Sequence, residues 1–258
     1  MAQTEQKNQN VKKQFEELQS LLERAMALQT SMVLFEWDDE TLAPKGAAEH
    51  TARVIGSLSE QYQEILASMR FKELLDVCLK AEKENAGVFD KVQSAILREA
   101  AEEQERLSCI PPEEYRAYAE LTACATGIWT RAREKNDFAS FAPVLKEIIS
   151  YQKKFAAYRA KPGQKLYDVM LDTYEKGFNM EMLDPFFELM KGKIVPLLKE
   201  SAERSKMVPD AFLSADYPEA AQAEAARFLA EYEGFDFDRG VLALSAHPFT
   251  TNLHNHDV

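Results

Sequence analysis

Cysteine is scarce: 258 residues hold three, Cys78, Cys109 and Cys124, odd in number, widely spaced and without a C-x-x-C pair. That excludes a disulfide framework and paired-thiol metal or redox sites, and it fits a reducing compartment. Glycine and proline are also few, nine and ten residues. So little punctuation fits a predominantly α-helical body. Positive charge is in deficit, with 31 Lys plus Arg against 43 Asp plus Glu, a net charge of −12 and a pI near 5.0. No basic patch offsets it, which argues against nucleic acid and anionic membrane as partners and leaves the charge as a soluble surface. No apolar run is long enough to span a bilayer. The first ten residues are polar and read as neither signal peptide nor anchor, so cytoplasmic residence is expected. No internal period of 20 to 50 residues appears, which disfavours a helical repeat array.

What is present is a succession of helical periods. Val11, Phe15, Leu18, Leu22, Ala25, Leu28, Met32 and Phe35 recur every three or four positions, the mark of one long amphipathic helix. Further helices are predicted over about 46–69, 71–84 and 86–107, the last highly charged and expected at the surface. Pro111-Pro112 stops that helix and starts another to about Glu134. The polar loop at Lys135–Phe138 can cap the next start, and Phe141, Leu145, Ile148, Ile149, Phe155 and Tyr158 continue the pattern. After a break at Lys161–Gln164, helices are predicted over about 182–206 and 218–232, the second closed by Gly234 in a left-handed exit. No convincing linker interrupts the chain. The expected division is an α-helical region over 1–240 and a distinct closing element over 241–258.

The closing element differs in period and in chemistry. Alternation of Val241, Ala243 and Ser245 with Leu242, Leu244 and Ala246 predicts a short strand, and three of the four histidines, His247, His254 and His256, fall here. A strand with no partner leaves its backbone groups unpaired, so these residues are expected to be disordered or to pair with another molecule. His254-x-His256 is a spacing that metals use, but zinc asks for at least three protein ligands; the alternative is exposed loop histidines.

Two other stretches could carry chemistry. Phe35-Glu36-Trp37-Asp38-Asp39-Glu40-Thr41, leading through Pro44 and Gly46 to Glu49, gathers carboxylates that could serve as a metal or acid/base pair. The alternative is helix caps and solvated charge, with Trp37 in the core. Asp168 and Asp172, four apart in Tyr167–Gly177, share a helical face as paired carboxylates would. The alternative there is an exposed face with Tyr167, Leu171 and Tyr174 packed beneath.

Together these stretches resemble the thermostable zinc metallocarboxypeptidase family typified by carboxypeptidase Taq. The order W-D-x-E-T-x-x-P-x-G-A from Trp37, the Y-D-x-x-L-D-x-Y-E-x-G of Tyr167–Gly177, and His247-Pro248-Phe249-Thr250 followed by Asp257-Val258 are all similar to it. The similarity extends from about Leu18 to the end. The resemblance implies a mainly α, groove-shaped fold, commonly dimeric, that removes C-terminal residues from peptides. It implies a zinc ion held by two histidines of H-E-x-x-H and a downstream glutamate, with the motif glutamate activating water.

In this chain no histidine is followed by glutamate. The resemblance therefore carries over only His247, Pro248, Phe249 and Asp257, as substrate-side residues shaping the groove wall; no catalytic residue and no metal ligand is assigned. Two readings follow. In one the chain is the N-terminal part of a metallocarboxypeptidase, truncated before its zinc motif and inactive alone. In the other it is a naturally short, inactive helical scaffold that binds peptides or a partner subunit. If the first holds, a helical surface meant to be covered is expected to expose an apolar patch.

Overall fold

A computed structural model describes residues 2–44, 46–85, 87–205, 209–245 and 247–253. Nine α-helices are formed among them: α1 Ala2–Thr41, α2 Ala48–Ala67, α3 Met69–Glu84, α4 Lys91–Ser108, α5 Pro112–Glu134, α6 Phe138–Arg159, α7 Leu166–Tyr174, α8 Met180–Ser205 and α9 Glu219–Tyr232, with a short 3-10 turn at Ala211–Ser214. The mainly α expectation holds. The short strand does not: from Val241 to Leu253 the described residues form no strand, and Ser245 Oγ instead donates locally to His247 O at 2.8 Å. Alternation specifies which face a side chain takes, but a strand exists only when a neighbour fills its hydrogen-bond ladder. Among the described residues no helix is long and apolar enough to cross a membrane.

The chain forms two compact units, Met1–Arg159 with Ala243–Val258, and Ala160–Leu242. In the first, α1 packs on α2 and α3, α2 lies against α5, and α5 against α6. The apolar spacing of α1 becomes a buried face of Val11, Phe15, Leu18 and Ala25, which meets Phe71, Leu74, Leu75 and Cys78 of α3. Phe15 and Phe89 set their rings 5.0 Å apart in the same core. Helix α4 joins it through Leu97, Ala100 and Leu107, all buried. The surface placement expected for this charged helix is thus corrected. Its charges form an outer face, and three small-to-medium apolar residues suffice for the inner one.

Local chemistry sets the helix ends. Ser68 accepts from Phe71 N at 3.1 Å to start α3, and Asp90 with Gln93 forms a reciprocal capping box at α4. Asn136, at φ 51°, ends α5 in the left-handed region; its N–H reaches Arg133 O, and that of Asp137 reaches Ala132 O. Gly234, at φ 86°, closes α9 in the same way through Glu231 O and Ala230 O.

In the second unit Asp168 Oδ1 accepts from Met180 N at 2.8 Å, and Asp172 Oδ1 accepts from Gly177 N at 2.9 Å. Each carboxylate accepts a backbone N–H that closes the turn between α7 and α8. Tyr167 and Tyr174 are 62% and 78% exposed, so the packed face proposed for them does not form. No residue of α8 or α9 is buried.

Candidate functional site

The first unit contains an open cavity of about 350 Å³ whose walls come from four stretches of chain. Helix α1 contributes Val33, Glu36, Trp37, Asp39 and Glu40. Helix α2 contributes Thr51 and Ile55, α5 contributes Ala123 and Thr126, and the remaining side is His247 with Phe249, Thr250 and Thr251.

Each wall is held by chemistry that can be read from its sequence. Thr41 Oγ1 donates to Trp37 O at 2.6 Å, while Leu42 N and Ala43 N both reach Asp38 O, so α1 stays helical through its acidic end and then closes. Helices α2 and α5 approach closely at Gly56, where a Cβ would sit 2.2 Å from Glu120 Cγ. Alongside, the Arg116 guanidinium spans Glu60 at 3.1 Å and Glu120 at 2.9 Å, tying the two helices together across the contact. That registry sets Ala123 and Thr126 on the cavity and places Trp129 one turn further along α5.

Trp129 receives the closing segment. The His247 ring lies 6.0 Å from it, tilted at 57°, and the Arg133 guanidinium carbon lies 5.3 Å from the same indole. Such pairs contribute about 0.5–1.5 kcal/mol each beyond burial. Residues 247–251, expected to be disordered or to pair with another molecule, here meet their own chain: His247 lies beside Trp129, and Phe249, Thr250 and Thr251 line the cavity with α1, α2 and α5.

The cavity is electrostatically acidic. Burial pushes the Glu36 carboxyl above its ordinary value; the cavity is open, so the side chain keeps solvent contact while protein mass surrounds it. Asp39 is raised as well, first by burial and then by the neighbouring Asp38 charge. The Cys124 thiol is raised by burial, with Glu120, Glu49 and Asp39 adding to it. Carboxyls so placed can hold a proton or accept a cationic or hydrogen-bond-donating group of a ligand.

Of the residues assigned to the groove wall, His247 and Phe249 line this cavity and Pro248 lies between them. Asp257, His254 and His256 lie outside the described residues. Among the described residues no three His, Cys, Asp or Glu side chains come together as a metal ion would require. The described residues therefore do not fit a zinc site. Sequence reasoning missed Trp129, Thr126 and Ile55. Only Trp129 carried a signal, as one of just two tryptophans, set one helical turn before Arg133.

Among the described residues, a helical body brings a W-D-x-E-T helix end and an H-P-F-T segment to one cavity. Residues 17–258 match the family described as carboxypeptidase Taq (M32) metallopeptidase, and the chain belongs to that family. It is 33% identical over 241 residues to carboxypeptidase 1 of Bacillus subtilis, covering 92% of this chain and 46% of that protein. With thermostable carboxypeptidase 1 of Thermus thermophilus it shares 31% identity over 253 residues, 93% of this chain and 49% of the other. The BsuCP crystal structure superposes with a TM-score of 0.89 at 31% identity, over 95% of this chain and 48% of that one. The chain thus spans about half the length of the curated relatives it matches.

Proposed function

We propose that this chain supplies the helical N-terminal part of a zinc-dependent metallocarboxypeptidase that removes C-terminal residues from peptides, and that alone it does not hydrolyse them. One observation carries the proposal: two family motifs about 210 residues apart in sequence, Trp37 with Glu40 and His247 with Phe249, line a single cavity. Local helix chemistry alone gives no reason for them to meet. A peptidase cleft needs such a wall, and the relatives' names supply the reaction.

In this reading His247, Pro248, Phe249 and Asp257 shape the side of the groove along which a peptide lies. Phe249 offers apolar surface, and Glu36 and Asp39 offer carboxyls whose raised affinity for protons suits hydrogen bonding to a peptide's polar groups. The described residues assemble no metal site, so no bond-breaking step is assigned to them. In the intact protein zinc would polarise the scissile carbonyl, held by residues from the portion of the relatives that this chain does not span. Cytoplasmic residence and a homodimer complete the proposal; three free cysteines and the family resemblance support them.

The test joins this chain, in frame, to the portion of Bacillus subtilis carboxypeptidase 1 that follows the matched region. With zinc added, the chimera is expected to release C-terminal amino acids from short peptides, and the 258-residue chain to release none. A folded chimera without release overturns the assignment. Release by the homogeneous chain overturns the predicted inactivity.

A further inference from the structure

Helix α1 ends in the wrong charge. The negative pole of its dipole lies there, yet four of its last six residues, Glu36, Asp38, Asp39 and Glu40, are acidic, and its last turn holds no basic residue. Asp39 and Glu40 follow Glu36 by three and four positions, so like charges share one face of the helix and repel one another. Glu36, Asp39 and Glu40 all line the cavity of the first unit. Among the described residues no lysine or arginine lines it with them, and Arg53 of α2 is paired with Glu49 at 2.7 Å. Burial and the Asp38 charge act on Glu36 and Asp39, and no cation offsets them. Local conflicts of this kind collect at functional sites, where a ligand relieves them.

The rest of the lining says which cation fits. Val33, Trp37, Ile55 and Phe249 give the cavity apolar walls, and its volume of about 350 Å³ lies in the range of pockets for small organic groups. A bare metal ion would need three ligands drawn together, and among the described residues no three His, Cys, Asp or Glu side chains converge in that way. An arginine or lysine side chain matches both features, with an alkyl stem for the apolar walls and a cationic head for the carboxylates. The same charge repels a peptide's terminal carboxylate, which places the basic residue upstream of the C-terminal one.

We propose that this cavity is a subsite for an arginine or lysine side chain lying upstream of a peptide's C-terminal residue. The inference rests on the functional reading above, which supplies the peptide, and adds the charge that the peptide carries. The stem lies along Trp37 and Phe249, and the guanidinium or ammonium group meets Glu36, Asp39 and Glu40.

The experiment titrates the full 258-residue chain, at pH 7 and low salt, with three N-acetylated tetrapeptides and follows tryptophan fluorescence, since Trp37 lines the cavity. The peptides are acetyl-Ala-Arg-Ala-Ala, the same sequence with the neutral isostere citrulline in place of arginine, and acetyl-Ala-Ala-Ala-Arg. The first is expected to bind at least about tenfold more tightly than either of the others. The double substitution Glu36→Gln with Asp39→Asn keeps side-chain shape and is expected to abolish that advantage, with circular dichroism confirming the helical fold. Equal affinity for the arginine and citrulline peptides, a preference for arginine in the last position, or an advantage that survives the double substitution overturns the proposal. Displacement of the arginine peptide by one equivalent of magnesium chloride would make the cavity a metal site and overturns it too. Turnover enters none of these readings. An inactive chimera beside an intact arginine preference refutes the peptidase reading and leaves the subsite; an active chimera beside a chain without that preference refutes the subsite alone.

Discussion

Replacing Gln63 by Leu tests how α5, and with it one wall of the cavity, is held against α2. The Gln63 side chain is fully buried; its Nε2 donates to Leu107 O at 3.1 Å and to Ile110 O at 2.5 Å, where the chain turns from α4 into α5. Leu107 O also accepts from Ile110 N, so it keeps a partner in the variant. Ile110 O loses its side-chain donor, which costs about 1–3 kcal/mol for a buried carbonyl. Against this, Gln63 Oε1 is itself a buried acceptor without a partner, and replacing it with an apolar carbon recovers about 1 kcal/mol. From the middle of that cost, the difference is about 1 kcal/mol of destabilisation, which corresponds to a melting-point drop of about 2–4 °C for a unit of this size. Both tryptophans of the chain, Trp37 and Trp129, lie in this unit, so urea unfolding followed by indole fluorescence reports on it. A variant as stable as the parent, or more stable, would refute the argument that these bonds fix the α4–α5 elbow.

Asn136→Val should destabilise by about 1–2 kcal/mol in the same assay, because a branched side chain is forced to φ 51°, whereas Asn136→Gly should change little. Glu36→Gln bears on pH. The folded state holds the Glu36 proton more tightly than the unfolded chain, which titrates near pH 4, so stability is lost as pH rises from about 4 through the raised value. The Gln variant should therefore be the more stable protein at pH 7 and should converge with the parent at about pH 4 and below; a gap that stays constant with pH contradicts this. Trp129→Ala removes the surface on which His247 rests, and amide exchange in residues 247–253 should quicken about fivefold, from a pair contribution of about 1 kcal/mol. Unchanged exchange would mean that the cavity contacts alone hold the segment.

The helices were legible because their signals are local. The spacing of Val11, Phe15 and Leu18, the Pro111-Pro112 stop and the left-handed Gly234 each act within a turn or two of chain, and each appears where expected. The strand was misread because its deciding requirement, a neighbouring ladder, is not local. Helix α4 was misplaced because Leu97, Ala100 and Leu107 are a thin signal among charges, and only the arrival of α3 shows that they suffice. At Asp168 and Asp172 spacing on one face does not show the bonds they make, since short acids near a turn bond to backbone N–H groups. Both halves of the cavity motif stood out as residues, but their meeting depends on how α2 and α5 pack at Gly56. No single-sequence period records that contact.

The cavity is finished by residues that leave the ribosome late. Its helical walls are complete with α5 and its backing with Arg159, but His247 follows 88 positions later, at 247 − 159. At elongation rates of about 5–20 residues per second, that leaves a gap of roughly 4–18 s. For that interval during each round of synthesis the cavity lacks the side that His247 and Phe249 supply, and the Trp129 indole lacks its His247 neighbour.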